Sequence, residues 1–145
     1  MPAILHRFTI DAPPERVHDL LATREGVERW WTGHPNTGDH ETLRIFFGGE
    51  QPAAVMQVAE DVPERLVWRV VDGPADWIGT TITFALQRRP DDGTTLLFTH
   101  DGWREANEFM HGCSTNWGAY LTSLKAGAER GEFAAYPAGE MSRWS

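Results

Sequence analysis

The sequence predicts an α+β fold, a curved antiparallel sheet of about six strands wrapped around one long C-terminal helix. Several short runs alternate apolar and polar residues, which is typical of strands with one buried face. After the first of these runs there is room for two short helices, and over residues 105–130 the apolar period changes to three and four. A meander of strands needs cover on one face, and the long helix is the only predicted element large enough to provide it.

The first elements are a strand and a helix. Ile4–Ile10 alternates and predicts the strand. The Asp11–Pro14 segment ends it, and because Pro suits a first helical turn and a preceding Asp can cap it, a helix is expected to begin there. The predicted buried stripe of this helix is Val17, Leu20 and Leu21.

A second short helix is predicted at Arg24–Trp31, after a Thr23 cap. Its inward residues are expected to be Val27, Trp30 and Trp31. The polar Gly33–His40 segment is rich in turn formers and predicts a loop.

The remaining strands are predicted from alternating, β-rich runs separated by turn formers. They are expected at Thr42–Phe47, Ala53–Glu60, Leu66–Asp72, Trp77–Arg88 and Thr94–Trp103. The expected turns lie at Gly48–Gly49, Asp61–Glu64 and Pro90–Gly93, the last with an Asp-Gly hairpin signal.

The long helix is predicted at Glu105–Arg130 and is expected to end at Gly131. One face carries apolar residues at spacings of three and four: Met110, Cys113, Trp117, Leu121, Leu124 and Ala128. Residues 132–145 are expected to form an irregular tail, and residues 1–145 to form a single domain.

Composition limits the classes of binding partner and the cellular locations to be expected. The 145 residues carry a formal net charge of −8 with 13 scattered Lys and Arg, which disfavours nucleic acid. Neither a signal peptide nor a membrane-inserting segment is expected. The single cysteine forms no internal disulfide, so a cytoplasmic location is expected. No phosphate-loop spacing is present, and no cofactor is expected.

In this order and spacing, several segments together resemble the SRPBCC (START/Bet v 1-like) superfamily. The closest branch is that related to the C-terminal domain of the 90-kDa heat-shock protein (Hsp) ATPase activator. The segments are Ala12–Val17, Trp30–Trp31, Thr94–Leu96 leading into Thr99–Trp103, and Trp117 with Leu121 and Leu124.

The resemblance implies a helix-grip fold, in a superfamily that includes lipid and hormone binding and aromatic polyketide cyclisation. In the co-chaperone itself, a separate N-terminal domain supplies much of the chaperone contact. Because this chain starts directly with the helix-grip domain, a chaperone partner is not expected.

Between sheet and helix we expect an apolar cavity that binds a ligand. Alternation and helical spacing place these residues around it: Trp31, Trp68, Phe84, Phe98, His100, Met110, Cys113, Trp117 and Leu121. About half of them are expected to prove solid core instead.

His100 is the candidate for chemistry because it shares a strand face with Leu96 and Phe98. It could orient a ligand or act as an acid or base. The alternative is a structural histidine whose nitrogens are satisfied by neighbours.

Other reactive side chains favour simpler interpretations. His111 and Cys113 are two apart on a helix and point to different sides, so no metal site is expected with His100. Cys113 as a nucleophile would need a base and an exposed setting, and a buried thiol is favoured. The carboxylates, expected to be a solvated surface, include Asp72, Asp76, Asp101, Glu105 and Glu108.

Three functions remain open. The leading hypothesis is a binding domain for an apolar, lipid-like or aromatic small molecule. The second is a cyclase- or hydrolase-like enzyme that uses His100 as acid or base in the same cavity. The third is a protein-interaction module with exposed tryptophans such as Trp77 or Trp103. Homodimer formation is compatible with each.

Overall fold

Over residues 1–32, 41–48 and 50–135, which the computed structural model describes, the chain forms one six-stranded sheet and three helices. In chain order the elements are β1 (Ala3–Ile10), α1 (Pro14–Ala22), α2 (Arg24–Trp30), β2 (Thr42–Ile45), β3 (Ala54–Val62), β4 (Arg65–Asp72), β5 (Thr81–Arg88), β6 (Thr94–Asp101) and α3 (Glu108–Arg130). The strand order is β1-β6-β5-β4-β3-β2, and every pair is antiparallel. The predicted α+β helix-grip architecture is confirmed.

One face of the sheet is buried, and α3 packs against it. Along β6, Leu96, Phe98 and His100 are buried while Leu97 is partly exposed, as the alternation predicts. The β1–β6 register sets Phe8 opposite Leu96, so the same face continues onto the neighbouring strand. No helix among the described residues is long and apolar enough to cross a membrane.

The short helices α1 and α2 meet closely because a glycine stands at their contact. A Cβ at Gly26 would lie 2.6 Å from the Cα of Leu20. The predicted Thr23 cap is confirmed, since its side chain accepts from the Gly26 backbone N–H at 3.0 Å. The Trp30 Nε1–H donates to the Leu20 carbonyl at 2.8 Å and ties the second helix to the first.

The predicted Asp11 cap of α1 is wrong. The N-cap residue is Pro13, which makes no side-chain cap hydrogen bond. Asp11 instead donates its backbone N–H to a carboxylate oxygen of Glu129 at 2.7 Å, so this segment is tied to the end of α3.

Two element boundaries differ from the prediction by three residues or more, for local reasons. β5 begins at Thr81, not at Trp77, because the preceding residues form turns: the Trp77 N–H donates to the Pro74 carbonyl at 2.8 Å. α3 begins at Glu108, not at Glu105, because Asn107 caps it by accepting from the Met110 N–H at 2.9 Å.

The chain reverses after α3. Gly131 adopts the left-handed conformation with φ of 72°, and the predicted helix stop is confirmed. Phe133 then packs on Gly127, where an added Cβ would lie 2.0 Å from the Phe133 ring. Residues 132–135 are irregular, whereas residues 136–145 of the predicted tail, the predicted Gly33–His40 loop and Gly49 lie outside the described residues.

Candidate functional site: an aromatic cavity against α3

A cavity of about 300 Å³ lies between α3, the start of β3 and the segment that joins β4 to β5. Its wall is mostly aromatic and includes Trp31, Phe47, Trp77, Phe109, Trp117 and Tyr120. Phe47 and Phe109 are also 36% and 37% exposed, so these two rings stand where the cavity meets solvent.

The space exists because large rings face small side chains. On α3, Phe109, Cys113, Asn116 and Tyr120 follow one another at spacings of three and four and share one helix face. Opposite them lie Ala53, Ala54 and Pro74, whose side chains are small. Alanine fills little volume beneath a helix, so the sheet and the helix leave a void.

The tryptophans of the wall are held by ring contacts. Trp31 and Trp117 meet with their ring centroids 4.7 Å apart, and Trp77 stacks on Trp117 at 6.1 Å with an interplanar angle of 12°. Behind the wall, Trp31 stacks on Trp68 at 6.0 Å and 10°. Because each ring is fixed by another, the wall presents rigid aromatic surface to whatever enters.

Three buried polar atoms of wall residues lack hydrogen-bond partners among the described residues. They are two donors, the Nε1 of Trp31 and of Trp77, and one acceptor, the Oδ1 of Asn116. An unpartnered buried polar atom costs about 1–3 kcal/mol, so each such atom calls for an explanation.

The cavity disfavours negative charge. Among the described residues that line it, none carries a formal charge. Burial raises the pKa of the Cys113 thiol; the adjacent Trp77 N–H lowers it, and the negative charge of Asp76 raises it further. The thiol is therefore protonated at neutral pH and is a weak nucleophile.

His100 is a structural histidine in this geometry. The Trp117 indole, which can only donate, gives its Nε1–H to His100 Nδ1 at 3.2 Å. The proton of the neutral ring therefore resides on Nε2, which donates to the Thr80 hydroxyl at 2.8 Å, and that hydroxyl donates in turn to the Trp77 carbonyl at 2.5 Å. Burial lowers the pKa of His100 to about 3.

Because both ring nitrogens of His100 are engaged and the side chain has no exposed surface, His100 is not positioned to exchange a proton with a ligand. This geometry is the one expected for a structural histidine whose two ring nitrogens are hydrogen-bonded to neighbouring residues.

The nine residues predicted around the cavity divide into two groups. Trp31, Cys113 and Trp117 line it. The other six are buried but pack elsewhere in the core: Trp68, Phe84, Phe98, His100, Met110 and Leu121. They form a layer behind the wall, in which Phe98 meets Trp117 at 4.6 Å and Phe84 meets Trp68 at 4.9 Å.

Sequence reasoning missed Phe109, Asn116 and Tyr120. Their 3–4 spacing around Cys113 was a usable signal, but it marks a stripe adjacent to the most apolar one.

The expected exposure of Trp77 and Trp103 is wrong. Trp77 is 7% exposed and Trp103 is fully buried. Both pack edge-on against His100, with ring centroids at 4.9 Å and 5.1 Å. They therefore form no surface patch.

The remaining candidates for chemistry are dispersed. Among the described residues, no group of three His, Cys, Asp or Glu side chains could hold a metal ion. His111 is exposed, and its Nδ1 donates to the Asn107 carbonyl at 2.7 Å, away from the cavity. Asp76 accepts from the Asn107 amide at 3.4 Å beside the cavity but does not line it.

These features define a helix-grip protein with an aromatic cavity. The chain belongs to the family of Activator of Hsp90 ATPase homolog 1-like proteins, whose model matches residues 11–129. No curated protein matches the chain.

Solved structures agree with this assignment. The chain is 32% identical to the protein in the solution structure of the Aha1 dimer from Colwellia psychrerythraea, with 91% of this chain and 99% of that one covered and a TM-score of 0.78. Two more distant structures share the fold. They are CalU16 from Micromonospora echinospora (21% identity, TM-score 0.70, 98% and 80% covered) and MLL2253 from Mesorhizobium loti (20% identity, TM-score 0.68, 86% and 94% covered).

Proposed function

We propose that the protein binds a small apolar molecule, aromatic or lipid-like, in the cavity against α3. The observation that carries the proposal is the cavity of about 300 Å³ with six aromatic rings in its wall. Ligand pockets begin at about this volume, and their walls are mostly hydrophobic and aromatic. Burying about 200 Å² of apolar ligand surface contributes about 5 kcal/mol towards offsetting the cost of association.

Binding is favoured over catalysis by the state of the two candidate reactive groups. His100 is neutral and fully hydrogen-bonded, and burial lowers its pKa to about 3. Cys113 lines the cavity, but burial raises the pKa of its thiol. Neither group offers an acid, a base or a thiolate at neutral pH. The hypothesis of an enzyme that uses His100 as acid or base is therefore disfavoured.

We also propose that the protein forms a homodimer and acts in the cytoplasm. The dimer proposal rests on the relative from Colwellia psychrerythraea, which is described as a dimer. Light scattering after size-exclusion chromatography would give twice the 16.3 kDa of one chain for a dimer. The mass of one chain across the accessible concentration range would reject it.

The proposal includes no chaperone and no nucleic acid as partners. The description of the family refers to activation of the Hsp90 ATPase. If the protein stimulated an Hsp90 ATPase equally well with its cavity filled, a protein-contact function would replace the proposed one.

The first test is native mass spectrometry of the protein purified from its own cells, with a filled cavity as the comparison. Cys113→Phe places a ring into the void, and Cys113→Ala is the matched control that opens the same position. The wild type and Cys113→Ala are expected to carry a co-purified apolar compound, and Cys113→Phe to be empty.

An empty wild type whose melting temperature is unmoved by a library of aromatic and lipid compounds would contradict the proposal. If Cys113→Phe does not fold, Ala54→Leu fills the cavity from the sheet side.

A further inference from the structure

We propose that the ligand is a neutral aromatic molecule with a hydroxyl group, which accepts a hydrogen bond from Trp31 Nε1 and donates one to Asn116 Oδ1. This inference rests on the proposed function and names the chemical class of its ligand.

Two of the three unpartnered atoms define the polar part of the ligand, because the third, Trp77 Nε1, lies next to the Cys113 thiol. Trp31 Nε1 can only donate and Asn116 Oδ1 can only accept, and both are buried without partners among the described residues. Their side chains line the cavity. A hydroxyl is the smallest group that complements both atoms at once, because it carries an acceptor lone pair and a donor hydrogen.

The surroundings require that the hydroxyl belong to a neutral molecule. A carboxylate could accept from Trp31 but would have no hydrogen to give to Asn116. A carboxylate would also lose its hydration on entering the cavity. The described lining residues carry no formal charge to compensate for that loss, and the negative charge of Asp76 lies nearby. An ammonium group could donate to Asn116 but would leave the Trp31 N–H without an acceptor.

The ring contacts define the apolar part. The Trp31 ring lies 4.7 Å from that of Trp117 and 6.2 Å from that of Tyr120, centroid to centroid, so three rings of the wall meet at Trp31. Flat surfaces of this kind pack well against a flat ligand in offset or edge-on arrangements. A bicyclic aromatic of naphthalene size fits a cavity of about 300 Å³.

The test uses four probes of one shape, whose affinities are measured by isothermal titration calorimetry on the full chain at pH 7. The probes are 2-naphthol, 2-methoxynaphthalene, naphthalene and 2-naphthoate. 2-Naphthol is expected to bind about tenfold more tightly than 2-methoxynaphthalene, because only the alcohol has the hydrogen that Asn116 accepts. 2-Naphthoate, which is charged, is expected to bind more weakly than either.

Variants assign the effect to the two side chains. Asn116→Leu should remove the advantage of 2-naphthol over 2-methoxynaphthalene and leave the affinity for naphthalene within about threefold. Trp31→Phe keeps a ring but removes the N–H, and it should remove the advantage of 2-methoxynaphthalene over naphthalene. Ser123→Ala removes a buried hydroxyl of α3 that does not line the cavity, and it should leave the order of the four affinities unchanged.

The outcomes separate this inference from the proposed function. Equal affinities for 2-naphthol and naphthalene would overturn the inference and leave the apolar binding site in place. The inference would also fail if 2-naphthoate bound most tightly. Binding of none of the four probes would overturn both. Because Trp31→Phe and Asn116→Leu test separate hydrogen bonds, one variant that fails to fold leaves the other as a complete test.

Discussion

Replacing His100 with glutamine should flatten the acid dependence of the stability of this protein between pH 6 and pH 4. In the folded chain His100 is neutral because Trp117 donates to Nδ1 and Nε2 donates to Thr80, in a fully buried site. Glutamine also offers one acceptor and one donor, but it does not titrate. The substitution therefore removes the proton uptake with the least damage to the hydrogen bonds.

The magnitude follows from the two pKa values of His100. Its pKa is about 3 in the folded state, against an ordinary value of 6.5 in the unfolded chain. Unfolding therefore takes up a proton at any pH between these values. The stability that the neutral ring contributes is complete above pH 6.5 and is lost as the pH falls towards 3. At 1.36 kcal/mol per pH unit the full loss is about 5 kcal/mol, and about 2–3 kcal/mol of it falls between pH 6 and pH 4.

The assay is urea unfolding of the wild type and His100→Gln at pH 7, 6, 5 and 4. The free energy of unfolding of the wild type should fall by about 2–3 kcal/mol more than that of the variant between pH 6 and pH 4. All other titrating groups are common to the two proteins, so the difference in slope belongs to His100. Parallel pH profiles would refute the argument that burial keeps this ring neutral.

Three further predictions concern packing, capping and the cavity thiol. Gly26→Ala should lower the free energy of unfolding by about 2 kcal/mol or more, because the new Cβ would meet the Leu20 backbone at 2.6 Å. The control Gly118→Ala, in the middle of α3, should be neutral or stabilising. Equal urea midpoints for the two variants would contradict this prediction. Thr23→Ala should cost about 1 kcal/mol through loss of the cap of α2, and Thr23→Ser should restore most of it; an alanine variant as stable as the wild type in urea would show that the cap is dispensable. Cys113 should react with a thiol reagent far more slowly in the native protein than in the unfolded one, and a cavity ligand should slow it further; rapid reaction of the native thiol would contradict its burial.

Local signals in the sequence were sufficient for most of the architecture. Alternation predicts which residues of β6 face inward, and the Thr23 cap and the Gly131 stop follow from side-chain chemistry and backbone freedom. The start of β5 differs from the prediction because Trp77–Thr80 has the composition of a strand but forms turns. The N–H groups of Trp77 and Ile78 donate to the Pro74 carbonyl, and that of Thr80 donates to the Trp77 carbonyl.

The candidate site was less predictable because it depends on contacts between distant elements. The face of His100 follows from its position in β6, but its partners, Thr80 and Trp117, come from other parts of the chain. The cavity lies opposite Ala54 because that side chain is small, and no periodic pattern reports which small residue will face a helix. Six of the nine predicted residues therefore lie in the core rather than in the cavity wall.

The most direct test of the binding claim follows the indole N–H signals of the protein by ¹H–¹⁵N correlation spectroscopy as 2-naphthol is added. Single Trp→Phe variants assign the signals of the seven tryptophans. The signals of Trp31 and Trp77, whose rings line the cavity, should shift most, and those of Trp30 and Trp103, which do not line it, should shift least. Saturable shifts with this ranking are the expected result. Unchanged signals at saturating 2-naphthol, or shifts centred on Trp30 or Trp103, would contradict a ligand site in this cavity.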